Sequence, residues 1–271
     1  MINNKYFAID AHCHIFPDKI AVIATKHTDD FYGLNSDYDG KLSTLLSTSK
    51  ESGIDRYIVQ SVATTPMQVR KINEFIANSV ASNPDKLIGM GTMHPASEDL
   101  EGDIEHIISL GLHGVKLHPD IQDFKVDDSR CLKIYELCAK NKLPILMHTG
   151  DKRYDNSNPN RVLPILKSYP ELTLVGAHFG GYSVWEEAAE KLSGMSNFYV
   201  DTCSSLFALS KEQTMEIIKK YGTDKVLFGT DYPMWNAKNE IDYLLDLNLS
   251  DSDYEKIFAL NAMSVYGICK P

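Results

Sequence analysis

His12 and His14 stand two residues apart in Asp10-Ala-His-Cys-His14, directly after the apolar run Tyr6-Phe-Ala-Ile9. Such a run reads as a β-strand. Side chains alternate faces along a strand, so Asp10, His12 and His14 are expected on one face and Cys13 on the other. Two neutral imidazoles converging at a strand end suit a divalent metal ion, because the imidazole nitrogen is a good ligand for zinc and similar ions. His-x-His alone is a weak signal, since ordinary loop histidines produce it too. The distribution of the other histidines strengthens it. Of nine histidines, His12, His14, His94, His118, His148 and His178 lie at or just beyond the C-terminal end of a strand read from the pattern, and only His27, His106 and His113 do not. The eighth such strand ends in Asp231.

Four of these residues make a metal set: nitrogens from His12, His14 and His148 and a carboxylate from Asp231. Three or four protein ligands with one position left for water describe a catalytic site rather than a structural one. A cation so held lowers the pKa of its water from ~16 to ~7 and polarises carbonyl groups. A group must then accept the proton and return it to the leaving group. Asp231 is the candidate base, with His178 orienting the water or stabilising developing negative charge. The remaining polar residues divide. His94, before Pro95, reads as closing a strand. Lys116 and His118 share a face and are equally balanced between pocket and packing roles. Asp10 is expected to support the ligands from below. Asp201 reads either as a pocket carboxylate or as a buried hydrogen-bonding residue. Lys152, Arg153 and Arg161 read as a solvated loop, Trp235 as a pocket wall or rim cover, and Asn261 as a tie between chain segments.

The elements that must position these residues recur regularly. After the first strand the pattern places strands at 56–64, 87–95, 113–119, 144–150, 172–181, 197–203 and 225–233, one every 25 to 31 residues. Helical periodicity falls between them, at 41–52, 66–82, from a cap at Ser97 to Gly111, and at 127–142, 159–168, 183–192 and 211–221. Two more helices follow, at 240–247 and 252–266. The stretch 15–40 shows no sustained period and reads as a long irregular connection. Eight βα units predict a single (β/α)8 barrel domain over 1–271, whose active site lies at the C-terminal ends of the strands. A doubly wound open sheet is the alternative. It lacks support, because no Gly-x-Gly-x-x-Gly follows the first strand.

Bulk properties narrow the partners. A net charge of -10 argues against nucleic acid and anionic membrane surfaces. No apolar run is long enough to span a bilayer, and residues 1–5 have no signal-peptide character. The five scattered cysteines form no Cys-x-x-Cys and suit a reducing compartment, so a cytoplasmic location is expected. The expected partner is a small-molecule substrate, with a homodimer left open.

Asp10-x-His12-x-His14, Gly114-Val-Lys-Leu-His-Pro119, Met147-His-Thr-Gly150, Gly176-Ala-His-Phe-Gly-Gly181, Phe228-Gly-Thr-Asp-Tyr-Pro233 and Asn261-Ala together resemble the amidohydrolase superfamily. The similarity is closest to its amidohydrolase-related branch, which includes aminocarboxymuconate semialdehyde decarboxylase, and it runs over essentially the whole chain. The resemblance implies a distorted (β/α)8 barrel holding a divalent ion, usually zinc, on His12, His14, His148 and Asp231. It implies that His178 contacts the metal-bound water. Binuclear members bridge two metals with a carboxylated lysine on the fourth strand, a position that Lys116 matches. The setting Gly-Val-Lys-Leu-His-Pro favours one metal, and a second stays open. Zinc is the expected ion, with manganese and iron as alternatives. The expected reaction is hydrolysis of a small, carboxylate-bearing substrate by metal-activated water. The alternative is non-oxidative decarboxylation or hydration on the same scaffold.

Overall fold

The computed structural model describes residues 1–269. Strand β1 (Ile9–His14) pairs with β2 (Arg56–Gln60), and β2 pairs with β3 (Leu87–Gly89). A second run follows in the order β4 (Gly91–Thr92), β5 (Val115–Leu117), β6 (Ile145–Met147), β7 (Leu174–Gly176), β8 (Phe198–Asp201) and β9 (Val226–Leu227). All these ladders are parallel. β3 and β4 are one stave interrupted at Met90, whose N–H donates to the Val59 carbonyl (2.9 Å) while Gly91 N–H donates to the Gly114 carbonyl (2.8 Å). The ring closes where Ala11 N–H donates to the Phe228 carbonyl (2.9 Å) and His14 N–H to the Tyr232 carbonyl (2.6 Å). The result is the (β/α)8 barrel expected from the spacing, and the closure removes the open-sheet alternative.

Helices α1 (Ala21–Tyr32), α2 (Leu42–Ser52), α3 (Val69–Ser82), α4 (Leu100–Ser109), α5 (Ser129–Asn141), α6 (Pro159–Ser168), α7 (Trp185–Leu192) and α8 (Lys211–Tyr221) accompany the strands. They are followed by α9 (Ala237–Leu245), α10 (Asp251–Glu255) and α11 (Asn261–Tyr266). Two expectations need correction. The stretch 15–40 contains α1, a three-turn helix. Its period is hidden because Ile20, Val22 and Ile23 are half exposed, while only Ala21 and Thr25 are buried. An apolar stripe that faces away from the core defeats a reading based on periodicity. Helix α4 is capped by Asp99, whose side chain accepts the Gly102 N–H, and not by Ser97. The Ser97 hydroxyl is committed instead to Asp103 (2.6 Å).

The core has two layers. Inside the barrel, Ile9, Ala11, Ile58, Leu146, Val175 and Leu227 pack on one another, and Ala262, Met263 and Tyr266 of α11 close the layer from below. Outside it, Tyr57, Val59, Val115, Leu117, Ile145 and Met147 meet the helices. Strand β1 changes phase between the two layers. Its pairing with β2 shifts register between Asp10 and Cys13, a bulge that inserts one residue. Ile9 and Ala11 therefore belong to the inner layer and Cys13 to the outer one. Strict alternation does not hold here. Asp10 falls out of phase with His12 rather than sharing its face. Cys13 points away from the histidines, as expected.

A π-helical turn, Lys256–Leu260, precedes α11. The Ile257 carbonyl in it accepts the Phe228 N–H (2.8 Å). Asn261 Nδ2 then donates to the Thr223 and Val226 carbonyls (2.8 and 2.7 Å), so this residue ties β9 to the final helix, as the sequence suggests. Among the described residues, no helix is long and apolar enough to cross a membrane.

Glu240 on α9 is buried, and its Oε2 has no hydrogen-bond partner. Burial, helped by the charges of Asp10, Asp37 and Asp231, raises its pKa to about 8. A carboxyl raised on folding adds stability that is fully present below its unfolded pKa and is lost as pH rises through the folded value. We expect wild-type stability to fall between about pH 5 and 9, and Glu240→Gln to flatten that slope. The variant should gain about 1–2 kcal/mol above pH 8, or roughly 2–6 °C in Tm. Melting curves of both proteins from pH 5 to 9 check this, and parallel curves would refute it.

Candidate active site

The bulge in β1 turns both of its histidines into the barrel mouth. His12 Nε2 lies 3.2 Å from His14 Nε2. Asp231, just past β9, brings Oδ1 to 3.3 Å from the first and 3.5 Å from the second. Donor atoms bound to one ion at ~2.0–2.2 Å stand roughly 3.0–3.5 Å apart. The triangle therefore has the dimensions of one face of a coordination sphere. Gly229 makes this approach feasible, since a side chain there would meet the His12 Cβ at 3.0 Å.

Hydrogen bonds fix which His12 nitrogen faces the cavity. A carboxylate only accepts, so the bond between His12 Nδ1 and Asp201 Oδ2 (2.7 Å) puts the proton on Nδ1 and leaves Nε2 as a lone pair. Asp201 Oδ1 accepts the backbone N–H of His178 (2.8 Å) and lies 3.0 Å from the Cys203 thiol. Asp201 is thus the buried hydrogen-bonding residue of its two readings. Asp10 works on the other side of the strand. Its carboxylate takes the Thr230 N–H (3.0 Å) and hydroxyl (2.6 Å), fastening the residue before Asp231.

Electrostatics favours ligand-competent protonation states. Burial, then the neighbouring Lys116 and His12, push His14 well below the usual imidazole range. Burial and His148 bring His178 down to about 3. Burial alone would raise Asp231, but His12, His178, His14 and the Ser204 hydroxyl outweigh it and hold its carboxyl below the ordinary range. Neutral imidazoles around an ionised carboxylate are the donor set a divalent cation requires. Ser204 Oγ donates to Asp231 Oδ2 (2.6 Å) and itself accepts Trp235 Nε1–H (2.8 Å), so Trp235 braces this carboxylate. Asp231 and His178 both have positive φ, 56° and 60°, as do nine other described non-glycine residues.

His148, at the end of β6, stands apart from the triangle. Its Nδ1 faces His178 Nε2 at 2.9 Å. The His178 ring in turn stacks on His12, with centroids 5.6 Å apart. Because His178 Nδ1 is committed to the Cys203 carbonyl (3.1 Å), its Nε2 presents a lone pair toward His148. His12, His14, His148, His178 and Asp231 all line one cavity of about 670 Å³. Lys116 lines it too, with Nζ 3.0 Å from His12 Nε2. The His118 ring lies parallel to His148 at 4.1 Å.

Several lining residues escape a reading of the sequence. Tyr32, from α1, hydrogen-bonds His118 Nε2 (2.8 Å) and reaches within 3.4 Å of His148 Nδ1. His27 and Phe31 on the same helix also line the cavity. Their helix was not legible, so neither were they. Asp120 directly follows His118-Pro119, and that position past a strand end is the one signal available for it. Arg153 clamps the helix that carries Tyr32. It pairs with both oxygens of Asp151, donates to the Phe31 carbonyl (2.7 Å) and lies over the Phe31 and Tyr32 rings. Arg161 bridges Asp127 and Asp155. His94 accepts the Ala96 N–H and closes its strand, as expected.

An amidohydrolase family model matches residues 9–268. The 2-amino-3-carboxymuconate-6-semialdehyde decarboxylase of Dictyostelium discoideum is 22% identical over 241 residues, which cover 73% of this chain and 66% of that protein. The chain thus matches slightly less than two thirds of that relative's length. The gamma-resorcylate decarboxylase of Polaromonas sp. (strain JS666 / ATCC BAA-500) is 22% identical over 249 residues, covering 73% of this chain and 75% of its own. Among solved structures, an uncharacterised TIM-barrel protein from Bordetella bronchiseptica superposes with a TM-score of 0.80 at 22% identity, over 96% of this chain and 98% of that one. A dihydroxybenzoic acid decarboxylase from Polaromonas sp. JS666, solved with manganese and the inhibitor 2-nitroresorcinol, gives 0.74 at 16% identity over 98% of each chain. The closed barrel and the extent of the family match lead to one assignment: the chain belongs to the amidohydrolase superfamily, in the branch that includes 2-amino-3-carboxymuconate-6-semialdehyde decarboxylase.

Proposed function

We propose that this protein is a metal-dependent non-oxidative decarboxylase of a small, planar carboxylic acid. The observation that carries the reading is the His12, His14 and Asp231 triangle at the floor of a cavity whose walls are apolar. Hydrolysis, the first expectation from the sequence, becomes the second reading, because both curated relatives bear decarboxylase names. His12, His14, His148 and Asp231 would hold one divalent cation. Zinc is the ion expected from the ligand types, and the manganese in the dihydroxybenzoic acid decarboxylase makes it the other candidate. Such a cation neutralises the substrate's acidic group and withdraws electron density from it.

Breaking the carbon–carbon bond releases CO2 and leaves the electron pair on the substrate carbon, where a proton must replace the carboxylate. Asp231, ionised at rest, would first take a proton from solvent water and then pass it to that carbon, with Ser204 and Trp235 fixing its second oxygen. His178 is held by the Cys203 carbonyl, so it faces the cavity through Nε2. Lys116, buried beside His12, would bind the substrate's carboxylate before it leaves as CO2. Phe31, Ile72, Phe75 and Met234 exclude water and favour the neutral product CO2 over the charged acid. The buried free cysteines suit the cytoplasmic location proposed for this enzyme.

The test is a product assay on metal-analysed protein. Protein loaded with zinc or manganese should release CO2 from a panel of hydroxybenzoates and unsaturated dicarboxylates, and chelator should abolish the release. Release of amine or alcohol from amides or esters without CO2 would establish the hydrolase instead.

A further inference from the structure

Among the described residues, Asp120 is the one carboxylate lining this cavity without a hydrogen-bond partner. Its side chain is fully buried, lines the cavity, and has no hydrogen-bond partner on either oxygen. His148 Nε2, 3.4 Å from Oδ2, has none either. A buried carboxyl group without hydrogen-bond partners is unfavourable, so its position is explained by something that enters the cavity and bonds to it. A second metal ion is a poor occupant. The neighbouring carboxylate, Asp151, is already engaged on both oxygens by Arg153, whose positive charge opposes another cation. The cavity that Asp120 lines is also lined by Ile121, Phe31 and the rings of Tyr32 and His118. These surfaces suit a flat organic molecule with one polar substituent. Lys116, in the middle of β5, and Asp120, three residues past its end, both line the cavity, so a positive and a negative group face the same space.

We propose that Asp120 is the specificity residue of this pocket. It accepts a hydrogen bond from a hydroxyl or amino substituent on the substrate while the acid group lies toward Lys116 and the His12–His14–Asp231 triangle. The preferred substrate class is then a planar carboxylic acid carrying an O–H or N–H donor, and the same acid with that donor methylated is rejected. The inference rests on the decarboxylase reading only for the acid group.

The test uses full-length protein loaded with Mn²⁺ and titrated calorimetrically with benzoate, the three hydroxybenzoates, the three aminobenzoates and their methoxy counterparts. At one ring position the donor-bearing acid should bind at least tenfold more tightly than its methoxy counterpart. Asp120→Leu should bring the pair within twofold at unchanged manganese content. Asp120→Asn, which keeps the shape and one acceptor oxygen, should retain an intermediate preference and serves if the leucine variant does not fold. Three outcomes overturn the proposal: no donor preference at any position in the wild type, a preference that survives both substitutions, or an equal weakening of all probes with loss of manganese. The last would make Asp120 a positioning residue acting through His148. Binding is read without turnover, so the two readings fail separately. An Asp120-dependent preference without CO2 release from any bound acid refutes only the decarboxylase, and CO2 release with an Asp120-independent preference refutes only the subsite.

Discussion

Asp231→Asn is expected to lower kcat at least ~10³-fold while the purified protein keeps part of its metal. The amide retains an oxygen that can face His12 and His14, but it cannot carry a proton to or from substrate. Its second atom becomes an NH2 donor beside the Ser204 hydroxyl, which now donates to Asp231 Oδ2 at 2.6 Å, so the brace through Trp235 loosens as well. His12→Ala should behave differently. It removes a corner of the triangle outright, and metal content rather than the chemical step should fall first. Metal analysis and single-turnover rates on both variants distinguish these effects. Equal metal loss in the two would show that Asp231 is chiefly a ligand and that the proton is moved by another group.

The second large effect is expected from a residue that does not line the cavity. Asp201 Oδ2 holds the Nδ1 proton of His12, and Oδ1 holds the backbone N–H of His178. Asp201→Asn offers one carbonyl oxygen for two donors, so one of the two contacts becomes a clash between N–H groups. If His12 loses its partner, the imidazole is free to adopt the other tautomer and present a proton where a lone pair is needed. We expect metal affinity to drop 10–100-fold by competition with a chromogenic chelator, consistent with other residues that orient ligand histidines. A further ~1–3 kcal/mol of stability should be lost from the unpaired buried donor, visible in the metal-free protein. Unchanged metal affinity would show that the Cys203 carbonyl and packing orient the histidines without Asp201.

The barrel was legible because each βα unit repeats one physical problem, the burial of a short apolar strand under an amphipathic helix. Histidines at strand ends followed from that frame, so His12, His14, His148, His178 and Asp231 were found as lining one cavity. Two failures have local causes. The bulge in β1 cannot be read from Ile9-Asp-Ala-His-Cys-His14, since a shift in pairing leaves no mark on composition, and Asp10 was therefore placed on the wrong face. Helix α1 escaped because its apolar residues Val22 and Ile23 are exposed and only Ala21 and Thr25 are buried, and Tyr32 and His27 were lost with it. Asp201 was visible in the sequence with its two roles open and Asp120 was missed, and both are settled by what they accept or fail to accept.

The stitching of β9 to the last helices has a consequence for the order in which the protein is made. The hydrogen bonds that close the ring join Ala11 to Phe228 and Asp10 to Thr230, the latter pair 220 residues apart. Phe228 is held in turn by Ile257, and the strand it extends is held by Asn261. A chain still emerging from the ribosome therefore carries His12 and His14 for more than 200 residues before Asp231 is made. Asp231 meets the two histidines only once β9 has closed the ring against β1.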